Sequence, residues 1–323
     1  MPQLPNRPTP RELEAAYKEG FEGWLWNKAI EEEWDRHVLT SDSRKADPEL
    51  KDLHKKHPRV LLHRYREAYD PGAFGEEKQD TGDCVSHGSR NARDTSRSTE
   101  IARGESETYY LRGATEPTYG ARGHGGQGMN PTKAAKFESQ VGFLFRDLYK
   151  VEHLDLRKYN ANTGINWGKQ GGVPDRIKDI CNSHKVGDWT RPDSLEDALD
   201  LMAAGFAGHS GQQWGTKGKQ PKDGINRKSG SWNHDMATTG YDLSEEFFKE
   251  QVVFVPNSWG SWNDPNPIWV ANQDVYGPWI KGMIVVPIHE YERYFIKSGS
   301  IHFYSDIEGW EVKELPNIIS GVL

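Results

Sequence analysis

The chain has 323 residues and a formal net charge of −7 from 41 Lys and Arg against 48 Asp and Glu, long enough for one large domain or two modest ones. Leu, Ile, Val and Phe make up only about 19% of it, but 12 Trp and 13 Tyr add apolar area, so a folded, aromatic-rich core with many loops is expected over disorder. Two cysteines exclude a disulfide-dense scaffold and any four-cysteine zinc site, and the mildly acidic balance gives no reason to expect nucleic acid or a membrane as main partner.

In chain order, Thr9-Pro10-Arg11-Glu12 has the form of a capping box, and Leu13, Tyr17, Phe21, Trp24, Leu25 and Trp34 follow at helical spacing. Asp47-Pro48 marks a second helix start and His57-Pro58 a stop; Val60 to Tyr69 reads as a third helix, closed by Asp70-Pro71-Gly72. Gly75 to Gly128 is polar and glycine-rich, predicting loops and one short helix. A helix is expected from Pro131 to Tyr149 and another from the Ser194 capping box to near Gly205. Residues 208 to 231 read as a mobile, basic loop. Short strands are then expected at Met236–Tyr241, Val252–Val255, Ile268–Val270, Met283–Ile288 and Ile301–Tyr304. Helices first and strands last predict an α+β fold. Its divisions are an N-terminal helical extension (1–70), a helical lobe (71–205) and a β-rich lobe (206–323).

Cys84 follows a Gly-containing loop at the start of a possible helix, where the positive end of the helix dipole would favour a thiolate. His234 and Asn257 each lie at one end of a predicted strand, where a side chain can project into a cleft. A nucleophilic thiol needs a base, and that imidazole needs an acceptor to fix its ring. Cysteine, histidine and asparagine in this order, the His234 to Gly240-Tyr241 spacing, and Asn257-Ser258-Trp259-Gly260 resemble a papain-like cysteine peptidase. The similarity runs from about Gln79 to Gly260.

The resemblance implies a papain-like two-lobed fold. It implies Cys84 as nucleophile, His234 as general base and then acid, Asn257 as the residue orienting the ring, and Trp259 as its shield. Gln79 and the Cys84 backbone N–H would form the oxyanion hole, and Gly125, Gly126, Asn233 and Asp235 would border the substrate cleft, with Asp235 either favouring a basic side chain or simply capping a strand. Some positions depart from the family. Gln79 precedes Cys84 by five residues where six are usual, leaving Lys78 as a rival donor. Val85 stands where tryptophan is usual, and Ser86 to Glu100 is polar for a buried central helix, as if a partner or the N-terminal helices cover it. Residues 1–70 sit where the family carries an inhibitory propeptide, or form a permanent subdomain.

The expected function is peptide-bond hydrolysis through a thioester, with a polypeptide substrate, no cofactor and no metal. Two alternatives remain: a structural or assembly protein of the virion type, docked to neighbouring proteins, and a Cys/His cell-wall peptide hydrolase. No apolar run follows a basic start, so a cytoplasmic or virion-associated location is expected, without a secretory signal peptide. Gly123 to Gly128 spells a dinucleotide-type glycine motif but lacks a preceding strand. His54, His57 and His63 lack metal-ligand partners at matching spacing, His87 is a rival base, and Cys181 reads as a structural thiol.

Overall fold

The computed structural model describes Trp24 and residues 50–104, 110–151 and 153–306. The helix expected over Thr9 to Trp34 lies outside the described residues apart from Trp24, as does the Asp47-Pro48 start. The described strands are β1 (Arg59–Leu61), β2 (Asp188–Thr190), β3 (Gly208–Gln212), β4 (His234–Thr238), β5 (Gly240–Asp242), β6 (Val252–Pro256), β7 (Met283–Pro287) and β8 (Ser300–Asp306). They form two four-stranded antiparallel sheets, in the orders β1-β5-β6-β7 and β2-β8-β3-β4. The longer helices are α1 (Leu62–Tyr69), α2 (Cys84–Ala102), α3 (Pro131–Gln140), α4 (Ala161–Lys169) and α5 (Leu195–Ala203). The fold is α+β. Its largest apolar cluster includes Leu199 and Met202 of α5, Met236 of β4, Val253 and Val255 of β6 and Ile284 of β7.

Helix α2 answers the puzzle of its polar sequence. Every residue from Cys84 to Glu100 is buried, and its charged groups face opposite charges and aromatic rings inside the fold. Arg93 reaches Glu138 on α3 at 2.8 Å, Arg90 approaches Glu77 at 3.7 Å, and Asp94 faces Arg66 on α1 at 3.6 Å. The guanidinium groups of Arg66, Arg93 and Arg97 lie over Phe74, Phe143 and Phe145, with the carbon centre 4.3, 3.9 and 4.4 Å from the ring centroids. Weak hydration and a flat face make arginine the cation that tolerates such an interior. A helix can therefore be central without an apolar stripe when the surrounding elements bring matching carboxylates and rings.

Several expected elements differ. The Pro131 helix ends at Gln140, because Gly142 has φ +107° and a Cβ there would strike the carbonyl oxygens of Cys181 and His184. Ile268–Val270 is helical within Pro267–Ala271, since Asn266 caps it by accepting the N–H groups of Ile268 and Trp269, with proline at the first helical position. The single strand expected over Met236–Tyr241 is two strands in different sheets. The chain crosses at Thr239 and Gly240, where φ is +145° and a side chain would collide with the Val60 carbonyl. Residues 208–231 begin with the fully buried strand β3 and continue as an anchored segment: Trp214 and Ile225 are buried, and Asn226 exchanges hydrogen bonds with the Val285 backbone. Ahead of α1, β1 pairs with β5, which ties the stretch after Pro58 into a sheet.

Candidate active site

Cys84 opens α2, and its side chain is fully buried in a small cluster with Val85, Met129 and Ala134. The first residues of β4 run past it. Asp235 donates its backbone N–H to the Cys84 sulfur at 3.3 Å, and the preceding residue is His234. Asn257 follows β6 in the other sheet. Its Oδ1 accepts from His234 Nε2 at 2.8 Å, which leaves the lone pair on Nδ1, a buried atom without a hydrogen-bond partner. Trp259 lies 4.6 Å from the His234 ring at 29°, stacked over the imidazole, and Trp232 and Trp262 pack against Trp259 in turn. Cysteine, histidine and asparagine thus come from a helix and two sheets, and converge where these elements meet.

Gln79 is buried beside this group. Its backbone N–H donates to the Ser258 carbonyl at 2.9 Å, its side-chain oxygen accepts from the Ser258 hydroxyl, and its amide nitrogen donates to Thr81. Lys78 is exposed. Glutamine, not lysine, thus makes the hydrogen bonds to the asparagine segment, at Ser258. The loop between Gln79 and Cys84 is held from the opposite wall: Gln127 Oε1 accepts from the Gly82 N–H, the Thr81 hydroxyl and the Tyr119 hydroxyl, at 2.7, 2.6 and 3.1 Å. Sequence reading passed over Gln127, and its place between two glycines was the one available signal. Gly125 and Gly126 are exposed, and Arg122 holds the Gly126 carbonyl at 2.9 Å.

Trp24 lies across the cleft. It bridges to Met129 on one wall, donates its backbone N–H to the Asn233 carbonyl at 3.4 Å on the other, and seats its ring where a side chain on Gly211 would otherwise stand. Only 7% of Trp24 is exposed. Sequence reading placed it in a helical stripe; pairing with Met129 is the contact made.

Burial sets the charge state of the thiol and the imidazole. It pushes the Cys84 thiol up, reinforced by the Asp235 carboxylate, and brings His234 down to about 4 against the opposing hydrogen bond to Asn257. Both shifts favour a neutral thiol and imidazole, so burial outweighs the helix dipole expected to favour a thiolate. Asp235 is fully buried and engaged by His209, which excludes it as an exposed strand cap. His87 is turned to Asp83 at 3.5 Å and packs edge-on to Tyr159. Cys181 lies in a separate apolar cluster with Phe137, Leu144 and Trp167, its thiol pushed up to about 12 by burial. His54 pairs with Asp200 while His63 packs on Phe254 and Trp269, so these two histidines do not converge; among the described residues no three metal-ligating side chains gather.

No protein-family model matches the chain, and no curated protein matches its sequence. Solved structures do match. Xylellain, a cysteine protease from Xylella fastidiosa, superimposes with a TM-score of 0.52 at 13% identity, over 82% of this chain and 91% of its own. ProCathepsin B S9 from Trypanosoma congolense gives 0.45 at 11% identity, over 78% of each chain. The proform of the ragweed pollen allergen Amb a 11, a cysteine protease, gives 0.47 at 13%, over 78% of this chain and 65% of its own. The chain has the fold of papain-like cysteine proteases.

Proposed function

We propose that the protein is a cysteine peptidase that cleaves peptide bonds through a thioester at Cys84. One observation carries this reading. At the start of β4, Asp235 donates its N–H to the Cys84 sulfur, and the residue before it carries an imidazole whose Nε2 is fixed by Asn257.

In the reaction, Nδ1 of His234 takes the thiol proton as sulfur attacks the peptide carbonyl. The oxyanion forms beside the Cys84 backbone N–H and Gln79, a setting in which one donor is worth roughly 3 to 4 kcal/mol. The imidazolium then gives its proton to the departing amine as the C–N bond breaks. Water, activated by the same nitrogen, attacks the thioester, and the carboxylic acid leaves as the thiol is restored. Trp259 keeps water from the His234–Asn257 bond. In the resting chain Trp24 occupies the cleft, so access requires its displacement.

The test is peptide turnover by the full chain and by a Trp24→Ala chain, each with and without Cys84→Ala. Turnover that survives Cys84→Ala ends this reading. Limiting iodoacetamide near pH 6 should label Cys84 ahead of Cys181 in the Trp24→Ala chain.

A further inference from the structure

Behind the nucleophile lies a buried carboxylate that hydrolysis as described above does not use. Asp235 has no exposed surface. Nδ1 of His209, on the neighbouring strand β3, lies 3.0 and 3.1 Å from its two oxygens. The carboxylate fits against α2 at Gly88, one turn beyond Cys84, where a Cβ would collide with Oδ1. A side chain at position 88 would take the space that the carboxylate fills. His209 is itself held from behind: its Nε2 faces the Tyr304 hydroxyl at 3.3 Å, Tyr304 meets Ser89 at 2.6 Å, and Ser89 donates to Glu138 at 2.7 Å.

We propose that Asp235, held by His209, is a positioning residue for the nucleophile: it fixes the N–H that seats the Cys84 sulfur and sets the charge against which the thiol ionises. The inference rests on the reading of Cys84 as nucleophile. The groups around the pair are Cys84, Asp83 and His87 on or beside α2, His234 on β4 itself, and His302 and Tyr304 on β8. The His209 and His302 rings are 5.7 Å apart, and burial holds His302 neutral, so it adds no charge. Burial raises Asp235 to about 6, partly offset by His209, and an ionised Asp235 opposes a thiolate beside it. The same strand thus brings His234, the base of the proposed reaction, and a carboxylate that restrains the thiolate.

The experiment compares Asp235→Asn, His209→Asn and His209→Gln in the full chain carrying Trp24→Ala. It reads the pH profile of Cys84 alkylation by iodoacetamide, with kcat and KM for a peptide. Asp235→Asn keeps the shape and removes the charge, so its alkylation midpoint should fall by about one pH unit. His209→Asn places an amide where Nδ1 stood and should stay within about threefold of the parent kcat; His209→Gln places it where Nε2 stood and should lose about tenfold or more in kcat at little changed KM. An Asp235→Asn profile that overlies the parent's, or equal kcat for the two His209 variants, overturns the proposal, and the His209 pair decides it whether or not Asp235→Asn folds. If instead Cys84 of the parent reacts no faster than Cys181, the nucleophile reading falls and the proposal with it.

Discussion

Trp24 offers a direct handle on the cleft. The residue is 93% covered, and the indole nitrogen makes no hydrogen bond in its seat, so what holds the side chain there is apolar contact. About 200 Å² of buried indole at about 25 cal/mol per Å² gives roughly 5 kcal/mol as an upper bound. Truncations of buried Trp to Ala cost about 3 to 5 kcal/mol. The backbone bond to Asn233 survives the substitution, so the lower figure is the better guide. Three kcal/mol is about two powers of ten in the balance between a covered and an open cleft. Trp24→Ala should therefore raise the alkylation rate of Cys84 by at least about tenfold, approaching about a hundredfold if opening limits the wild-type reaction. Peptide turnover should rise in parallel. The assay is pseudo-first-order labelling followed by mass spectrometry, with Cys181, far from the cleft in its own cluster, as internal standard. A Cys84 rate that stays fixed relative to Cys181 would refute the claim that this residue closes the site.

Two further outcomes follow from the same geometry. Asn257→Ala removes the acceptor at 2.8 Å that fixes the His234 tautomer, and should lower kcat by about tenfold to a hundredfold with KM nearly unchanged; steady-state kinetics checks it. Stability should fall on mild acidification. His234 and His63 are buried neutral, brought by burial from 6.5 to about 4 and about 3. Their folded values lie below the unfolded one, so their contribution is complete above pH 6.5 and drains away as pH falls through 4 and 3. Asp235 runs the other way: raised to about 6, it stabilises below its unfolded value of 3.8 and loses that as pH climbs through 6. Two imidazoles outweigh one carboxylate, leaving a net loss of a few kcal/mol between pH 7 and 4. The urea midpoint at these two pH values measures it, and an equal or higher midpoint at pH 4 contradicts it.

Much of this was legible before any coordinates. The strands over Val252–Val255, Met283–Ile288 and Ile301–Tyr304 are β-branched or aromatic between turn residues, and local pattern suffices for such segments. The chain order of Cys84, His234 and Asn257, with the motifs around the last two, pointed to residues whose segments the fold does bring together. β3 was hidden because Gly208-His209-Ser210-Gly211-Gln212 has almost no strand propensity; its neighbours impose the conformation, and both glycines make room, one for Phe303 and the other for Trp24. The short helix at Pro267 was missed although Asn266-Pro267 carried its signal, because the Ile-Trp-Val run was read first. The interior of α2 was illegible in principle: its partners Glu138 and Phe143 are distant in the chain, and no periodicity in a helix announces that its arginines will find carboxylates elsewhere.

The histidine and the asparagine belong to different sheets, one at the head of β4 and the other at the tail of β6. Their hydrogen bond spans the joint between those sheets and acts as a caliper on it. A substitution deep in the shared core, at Met236 or Val255 for example, could leave each sheet intact and the melting temperature almost unmoved. If it let one sheet slide by about half an ångström against the other, the caliper would open and turnover would fall first. Activity is then the finer gauge of how this protein is packed, and variants that look thermally silent are the ones in which to read it.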